Sequence, residues 1–311
     1  MQSRQTANSL ASGEQGAVQF MPVGIIGLGN MGRGMALSLQ RNGHAVLGFD
    51  LSAETRSARM AEGLAVAAAL PELIRACDTI ILSLPHAAAV RAVIEGPEGV
   101  LAHAALGTLV IDTTTSEPAV TRALAATLRA AGHALLDAPV SGGPKGALAG
   151  TMTMVIGGEA GDLARAMPVL EAISAKRVHV GPSGAGHVTK LVNNLLCGAH
   201  LVLLGEAMQI IETAGLDVAT VFSGINAGSG RSGVSEVNLP TWIANGAFNS
   251  GFTMGLMRKD IRLAAALFAE LDLTPPLAAA VAGLWAASAV DLPDGEDFNR
   301  IVTLRQAERR A

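Results

Sequence analysis

The chain has 311 residues, 50% of them hydrophobic, which is enough for about two domains that each bury a core. Its 22 basic and 26 acidic residues give a net charge of -4, without the basic surplus that nucleic acids and anionic membranes select, so neither is expected as a partner. Cys77 and Cys197 are the only cysteines, which excludes a disulfide framework and a multi-cysteine zinc site and favours a cytoplasmic protein. Tyrosine is absent, which excludes catalysis by a Tyr/Lys acid pair.

The first twenty residues are polar and lack the continuous apolar run of a signal peptide. We predict that residues 1–20 form a disordered extension and that the folded part opens at Met21. The longest weakly polar stretch, Pro275 to Val290, is too short to cross a bilayer of roughly 30 Å as a helix. The sequence therefore predicts a soluble protein.

From Val23 onward, short β-rich runs alternate with amphipathic Ala- and Leu-rich stretches. This alternation favours an α/β fold, a doubly wound and mostly parallel sheet with helices on both faces. The predicted strands each run into Gly, Pro, Asp or Ser. They are Val23–Ile26, Ala45–Asp50, Thr79–Leu84, Leu109–Asp112, Ala134–Asp137, Met152–Ile156 and Arg177–Val180.

Strand patterns end at the glycine-rich loop 181–186, after which the sequence is helical almost throughout. An unbroken run from His187 to about Ala214 predicts a helix longer than most globular helices. Loops are predicted at 228–233 and 245–251. We therefore predict an α/β domain over 21–184 and an all-helical domain over 185–311.

The turn between the first strand and the first helix has the pattern G-x-G-x-x-G. It consists of Gly27, Leu28, Gly29, Asn30, Met31 and Gly32. In such a turn the first glycine permits a tight bend, the second lets the backbone approach a pyrophosphate, and the third allows close helix packing, while free N–H groups at the helix N-terminus face the anion.

Asp50 lies about 20 residues further on, at the end of the second predicted strand. An acid at this place accepts hydrogen bonds from a ribose 2′-OH and repels a 2′-phosphate. Residues 21–184 are therefore predicted to form a Rossmann-type domain that binds NAD. Arg56 is close in sequence and leaves NADP open.

Four blocks follow one another along the chain, at 27–44 (GLGNMGRGMALSLQRNGH), 137–143 (DAPVSGG), 181–194 (GPSGAGHVTKLVNN) and 259–264 (KDIRLA). In this order they resemble the opening signature, the substrate-binding loop, the catalytic block and the later cofactor-contacting lysine segment of the β-hydroxyacid dehydrogenases. The resemblance extends from Met21 to about Val290.

This resemblance implies functions for individual positions. It implies contacts on the nicotinamide side of the cofactor for Leu84, Pro85 and Thr115, and a place near the cofactor for Lys259. It implies that the substrate carboxylate is held by Ser141, Gly142 and Gly143. Lys190 matches the family's catalytic lysine, and Asn194 matches its neighbouring substrate contact. The implied activity is NAD-dependent oxidation of a small 3-hydroxy acid, such as 3-hydroxyisobutyrate, to its semialdehyde, or the reverse reduction.

Hydride transfer requires a second group that moves the hydroxyl proton, and a lysine can do this if its pKa is lowered toward neutrality. Lys190 and Asn194 are four residues apart on one face of the long predicted helix, with His187 one turn earlier. In an interdomain cleft, burial would disfavour the ammonium, so Lys190 is expected to act as general acid and base while Asn194 donates a hydrogen bond to a substrate oxygen. The alternative is a solvated lysine and a satisfied core amide.

Ser141, Gly142 and Gly143 follow the strand that ends in Asp137, which we interpret as structural. They offer a hydroxyl and unobstructed backbone N–H groups, a nest suited to a carboxylate. The alternative is an ordinary turn.

Two features later in the chain carry weaker signals. Lys259 and Asp260 are predicted to begin another helix, where the macrodipole alone favours an acid. Cys197 and His200 form a C-x-x-H pair, but two ligands cannot make a closed zinc site, so no metal is predicted.

Other functions stay open at this point. Sugar acids such as tartronate semialdehyde and L-threonate compete as substrates of the same chemistry. A protein of another class, which binds the dinucleotide without turnover and serves as a scaffold, is disfavoured because Lys190, Asn194 and Ser141 occur together. The long apolar helix also predicts a homodimer or homotetramer, since one Rossmann domain cannot cover so much helical apolar surface.

Overall fold

The structure is a computed structural model, and it describes residues 21–304. The extension predicted over residues 1–20 lies outside the described residues. The strands are β1 (Val23–Ile26), β2 (Val46–Phe49), β3 (Ala65–Val66), β4 (Thr79–Leu82), β5 (Leu109–Asp112), β6 (Ala134–Asp137), β7 (Val140–Ser141), β8 (Met152–Gly157) and β9 (Ser174–Gly181).

Helices fill most of the remaining described chain. The α-helices are α1 (Asn30–Arg41), α2 (Ala53–Ala61), α3 (Leu70–Ala76), α4 (Ala87–Glu95), α5 (Val100–His103), α6 (Pro118–Ala130), α7 (Gly143–Ala149), α8 (Ala160–Ile173), α9 (Ala185–Thr213), α10 (Val218–Ala227), α11 (Met254–Glu270) and α12 (Pro276–Ala287). A π-helical segment spans Val234–Ile243, and a 3-10 segment spans Phe298–Thr303.

The strands form one sheet in the order β3-β2-β1-β4-β5-β6-β8-β7, with β9 beside β8. Strands β1 to β6 pair in parallel, whereas β8 is antiparallel to β6. The order 3-2-1-4-5-6 is that of the Rossmann fold, in which the strand order reverses between β1 and β4. The predicted fold class, a Rossmann-type sheet followed by an all-helical part, is confirmed.

Strand boundaries differ from the prediction at several places. The second predicted strand is shorter than expected and ends at Phe49, so Asp50 stands just beyond β2, whereas the last extends to Ser174–Gly181. Strands β3 and β7 were not predicted. Each has only two residues, too few to show the alternation that identifies a strand.

Neighbouring residues along the strands pack into different cores. Ile25 and Ile81 belong to the core on one face of the sheet, and Ile26 and Ile80 belong to the core on the other. A third core, which includes Trp285, lies among the C-terminal helices. Because both faces of β1 and β4 are covered, the sheet edge from which the functional loops emerge is held rigidly.

Helix α9 connects the sheet to the helical part. Asp137, at the end of β6, accepts hydrogen bonds from the backbone N–H groups of Gly184 (2.7 Å) and His187 (3.0 Å) and so caps the start of α9. Further along, α9 packs against α11 and α12. The predicted domain boundary falls at the N-cap of this helix, and the division into two domains stays a prediction.

Among residues 21–304, α9 is the one helix that is long and apolar enough to cross a membrane by length and composition. The expectation that Pro275 to Val290 is the longest weakly polar stretch is therefore wrong, because α9 is both longer and apolar. Its buried side chains include Lys190 and Asn194. Leu196, Leu203 and Ile210 are 52%, 59% and 71% exposed at heptad spacing, which agrees with the expected homo-oligomer, although assembly stays a prediction.

Candidate active site

The predicted functional residues gather at the carboxyl edge of the sheet. The turn after β1, the loop after β4 and the loop after β5 emerge there side by side, because β1, β4 and β5 are adjacent parallel strands. Ligands of open α/β sheets bind in the crevice at the carboxyl ends of the strands, where the strand order reverses. Helices α9 and α11 approach this edge from the other side, where Lys190 of α9 contacts Ser141 and Lys259 of α11 contacts the loops after β4 and β5.

The three glycines of the turn after β1 have different environments. A Cβ on Gly27, whose φ is +93°, would stand 2.2 Å from the carbonyl oxygen of Ser83, and a Cβ on Gly32 would stand 1.8 Å from the carbonyl oxygen of Gly27. Both are therefore required by the fold. A Cβ on Gly29 would meet nothing within 4 Å, so the space above this residue is open to a ligand.

Gly29 is the N-cap of α1 and provides no side-chain cap. The first N–H groups of the helix, beginning at the exposed Asn30 and the half-buried Met31, therefore lack the cap that a polar side chain would provide. Free N–H groups and the positive end of the helix macrodipole make this an anion site. The open space and the donors fit the pyrophosphate of a dinucleotide.

Asp50 closes the turn from the neighbouring strand. Its carboxylate accepts hydrogen bonds from the N–H groups of Leu28 (2.8 Å) and Ser52 (2.9 Å). The side chain of Leu28 is buried in the core. Arg56 lies over the ring of Phe49 at 5.6 Å and donates to the Asp50 carbonyl oxygen at 2.6 Å. The Asp50 carboxylate and the Arg56 guanidinium therefore lie close to each other, at the place where an adenosine ribose would bind.

The loops after β4 and β5 are tied to each other and to α11. The N–H of Leu84 donates to Thr114 Oγ1 at 3.3 Å. Lys259 Nζ donates to the carbonyl oxygens of Thr115 (3.1 Å) and Pro85 (3.5 Å). The residues predicted on the nicotinamide side are thus brought together with Lys259, which binds the two loops to the helical part.

Lys190 lies on α9 with 7% of its surface exposed. Its Nζ donates a hydrogen bond to Ser141 Oγ at 3.0 Å. Burial lowers the pKa of the Lys190 ammonium below its ordinary value. The negative charge of nearby Asp260 raises this pKa again, and the positive charge of Lys259 lowers it further. A lysine with a lowered pKa beside a hydroxyl has the properties of a general acid and base.

The loop that carries Ser141 has a backbone that needs glycine. Gly142 has φ +123° and Gly143 has φ +61°. Gly142 is the N-cap of α7 and provides no side-chain hydrogen bond, and Gly143 is the first residue of the helix. Backbone N–H groups at this turn are therefore available to a carboxylate. Ser141 and Gly142 are exposed.

A second loop, residues 248–252 of the helical part, approaches this turn. An ideal Cβ on Gly143 would lie 3.6 Å from the carbonyl oxygen of Ser250. Ser250 is held by Asp297, whose carboxylate accepts hydrogen bonds from the Ser250 N–H (2.6 Å) and hydroxyl (2.5 Å). The site is thus closed by residues that the sequence did not indicate.

Asp260 is a buried acid in the site that the sequence pattern did not indicate. It is 2% exposed, and its Oδ2 accepts a hydrogen bond from Asn194 Nδ2 at 2.6 Å. Its Oδ1 has no hydrogen-bond partner among residues 21–304 and lies 3.3 Å from Lys259 Nζ. Asp260 therefore links Asn194 to Lys259, and one amide hydrogen of Asn194 is committed to it.

One expectation about local structure is wrong. Lys259 and Asp260 do not begin a helix, because α11 starts at Met254, where the Thr253 hydroxyl caps the N–H of Leu256 at 3.3 Å. His187 lies one turn before Lys190 on α9, as expected; it is fully buried, and its ring contacts Thr114 and Thr121. Among residues 21–304, no group of three or more His, Cys, Asp or Glu residues could hold a metal ion.

Two family models match consecutive parts of the chain. The NAD-binding domain of 6-phosphogluconate dehydrogenase matches residues 22–181. The family described as NAD-binding of NADP-dependent 3-hydroxyisobutyrate dehydrogenase matches residues 184–305. The two matches meet at the loop between β9 and α9.

Relatives resemble the chain over most of its length. The 2-(hydroxymethyl)glutarate dehydrogenase of Eubacterium barkeri is 38% identical over 83% of this chain and 85% of its own. The NAD-dependent L-serine dehydrogenase of Pseudomonas aeruginosa is 36% identical over 78% of this chain and 83% of its own. The solved structure of Mycobacterium tuberculosis 3-hydroxyisobutyrate dehydrogenase with L-serine is 35% identical, covers 94% of this chain and 99% of its own, and has a TM-score of 0.86.

These matches include both the sheet and the helical part, and the relatives named are dehydrogenases of hydroxy acids. They agree with the four sequence blocks and with the open cradle at Gly29. The chain therefore belongs to the β-hydroxyacid dehydrogenase family, oxidoreductases that act on CH–OH groups, and it carries an NAD-binding domain.

Proposed function

We propose that the protein oxidises a small 3-hydroxy acid to its semialdehyde with NAD, or catalyses the reverse reduction, with Lys190 as general acid and base. The observation that carries this proposal is the buried amine of Lys190, 3.0 Å from Ser141 Oγ, in the crevice formed by the sheet loops and the helical part. The proposal concerns the class of substrate: acids in which a hydroxymethyl group is attached to the carbon that carries the carboxylate.

The names of the relatives support this class. 3-Hydroxyisobutyrate, L-serine and 2-(hydroxymethyl)glutarate all contain the unit HO–CH2–CH(R)–COO−, and they differ in R. In our proposal, Ser141, Gly142 and Gly143 bind the carboxylate through a hydroxyl and backbone N–H groups. The hydroxymethyl group then lies beside Lys190, since Ser141 and Lys190 are already in contact.

In the oxidising direction, the neutral amine of Lys190 would accept the proton of the substrate hydroxyl at C3. NAD, when bound, would supply the acceptor for the hydride that C3 loses. In the reducing direction the Lys190 ammonium returns a proton to the aldehyde oxygen. The second amide hydrogen of Asn194 orients that oxygen, because the first is held by Asp260 at 2.6 Å.

For the cofactor, Gly29, Asn30 and Met31 bind the pyrophosphate at the start of α1. Asp50 faces the ribose hydroxyls of the adenosine. On the other half, Leu84, Pro85 and Thr115 line the nicotinamide side, with Lys259 fixing the loops that carry them.

The test of this function is a panel of 3-hydroxyisobutyrate, D-glycerate, L-serine and L-threonate with NAD and NADP, in which NADH or NADPH formation is followed by absorbance. We expect turnover with 3-hydroxyisobutyrate or L-serine. Turnover with D-glycerate or L-threonate but with neither of those two acids would favour the sugar-acid alternative, since D-glycerate is the reduced form of tartronate semialdehyde. Cofactor binding without turnover of any acid, or of the corresponding semialdehydes with NADH, would favour the scaffold.

We expect Asp50→Asn to raise the ratio of kcat/KM with NADP to kcat/KM with NAD by about tenfold or more, which corresponds to about 1.4 kcal/mol. The carboxylate charge that repels a 2′-phosphate is lost, whereas the amide oxygen can still accept the hydrogen bond from Leu28 N–H. Asp78→Asn, an exposed change at the opposite edge of the sheet, is the matched control. An unchanged ratio would remove Asp50 from cofactor selection.

We expect Asp260→Asn to move the pH profile of kcat to lower pH. Burial lowers the pKa of Lys190 and the Asp260 carboxylate raises it, so removal of this charge lowers the pKa further. In oxidation the neutral amine is the reactive form, and the rising limb therefore shifts to lower pH. In reduction the ammonium is reactive, and the falling limb shifts in the same direction.

The profiles would be measured with Asp291→Asn as the control, which removes the same charge from an exposed position. A limb that stays in place or moves to higher pH in Asp260→Asn would show that the Asp260 charge does not act on the proton-transferring group.

A further inference from the structure

His187 is a histidine that the proposed reaction does not use. It is 0% exposed, and both ring nitrogens have partners distant in sequence. Its Nε2 lies 2.6 Å from the carbonyl oxygen of Thr114, and its Nδ1 lies 2.7 Å from Thr121 Oγ1. The ring therefore joins α9 to the loop after β5 and to α6.

The contact with Thr114 has only one possible direction. A carbonyl oxygen only accepts, so Nε2 carries a hydrogen and donates it to Thr114. The hydroxyl of Thr121 is 2.7 Å from Nδ1 and 3.3 Å from the carbonyl oxygen of Glu117, to which it donates. The ring of His187 is therefore held from both sides.

Thr114 is the residue through which the loop after β5 is held. Its N–H donates to Asp112 Oδ1 at 3.0 Å, and its Oγ1 accepts a hydrogen bond from Leu84 N–H at 3.3 Å. Its carbonyl oxygen accepts from His187. The next residue, Thr115, is the one bound by Lys259. The Nε2–H of His187 is thus the contact between Thr114 and the helix that carries Lys190.

His187 and Lys190 are one turn apart on α9, so they move as a unit. We infer that His187 is a positioning residue, whose hydrogen bond to Thr114 fixes the loop of residues 113–116 at a set distance from Lys190. This inference rests on the proposed function, in which that loop lines the nicotinamide side and Lys190 moves the proton. Hydride and proton transfer both depend on this distance.

Three substitutions separate positioning from stability. His187→Leu removes the donor to Thr114, and His187→Gln retains a side-chain N–H of similar reach. Thr121→Val leaves that donor in place and removes the partner of the other ring nitrogen, together with the hydrogen bond of the Thr121 hydroxyl to the Glu117 carbonyl oxygen. We expect His187→Leu to lower kcat on the order of 10²-fold, the cost of a small misplacement, with KM for the hydroxy acid nearly unchanged. His187→Gln recovers most of this loss, and Thr121→Val retains a kcat close to that of the wild type although its Tm falls.

Hydrogen–deuterium exchange of the peptide that contains residues 113–116 provides a readout without turnover. We expect faster exchange in His187→Leu, and wild-type rates in His187→Gln and Thr121→Val. If His187→Leu keeps the wild-type kcat, or if Thr121→Val loses as much turnover as His187→Leu, the positioning role is refuted. If the wild type turns over no hydroxy acid, the proposed function fails, and unaltered exchange in His187→Leu then refutes the contact itself.

Discussion

Lys190→Met is expected to lower kcat for hydroxy-acid oxidation by about 10²- to 10⁴-fold, the range typical of losing a general acid or base. The thioether has nearly the shape of the lysine stem but cannot accept the hydroxyl proton. Lys190 is 7% exposed, so the change also removes a charge that burial disfavours, and we expect a Tm equal to or above that of the wild type. Steady-state kinetics and thermal unfolding of the same preparation measure both effects.

Two further variants make this test specific. Lys176→Met, at an exposed position of β9, is the matched control and should retain full activity. Lys190→Arg keeps a positive charge beside Ser141, but a guanidinium does not lose its proton at neutral pH, so oxidation should remain as slow as in Lys190→Met. Wild-type velocity in Lys190→Met would remove this residue from the proton transfer and with it the proposed mechanism.

The arrangement of the sheet could be predicted because its signals are local. A strand, a G-x-G-x-x-G turn and a helix follow one another, and Asp50 comes after the next strand. The start of α11 is harder to predict, because the acid of the K-D pair at 259–260 resembles a helix N-terminus although the pair lies inside the helix. Thr253, directly before Met254, is the capping residue, and a Thr at the beginning of an apolar run is a recognised signal for a helix start.

The contacts within the site could not be predicted because they join residues that are far apart in sequence. Asp260 meets Asn194 across 66 residues, and His187 meets Thr114 across 73. One signal for Asp260 was present. It follows Met257 by three residues and precedes Ala264 by four, on the buried stripe of α11, and an acid on an apolar stripe indicates a buried partner.

We expect Gly32→Ala to lower the stability of the fold, and Gly29→Ala to weaken cofactor binding without lowering stability. A Cβ on Gly32 would stand 1.8 Å from a backbone oxygen, which no rotamer change can relieve, so Gly32→Ala should destabilise the fold by about 1–3 kcal/mol or more. A Cβ on Gly29 would meet nothing within 4 Å, and the loss of an N-cap glycine costs less than about 1 kcal/mol. Gly29→Ala should therefore keep a Tm near that of the wild type.

A Cβ on Gly29 would point into open space, and we expect the pyrophosphate of the cofactor to fill that space. Gly29→Ala should then raise the Kd for NAD about tenfold or more, equivalent to about 1.4 kcal/mol, as measured by calorimetry on the folded protein. Gly161→Ala is the matched control, since its Cβ also meets nothing within 4 Å and it lies on α8, away from the crevice. Wild-type NAD affinity in Gly29→Ala would mean that the dinucleotide does not pass over this turn, because a methyl group cannot share that space with a phosphate.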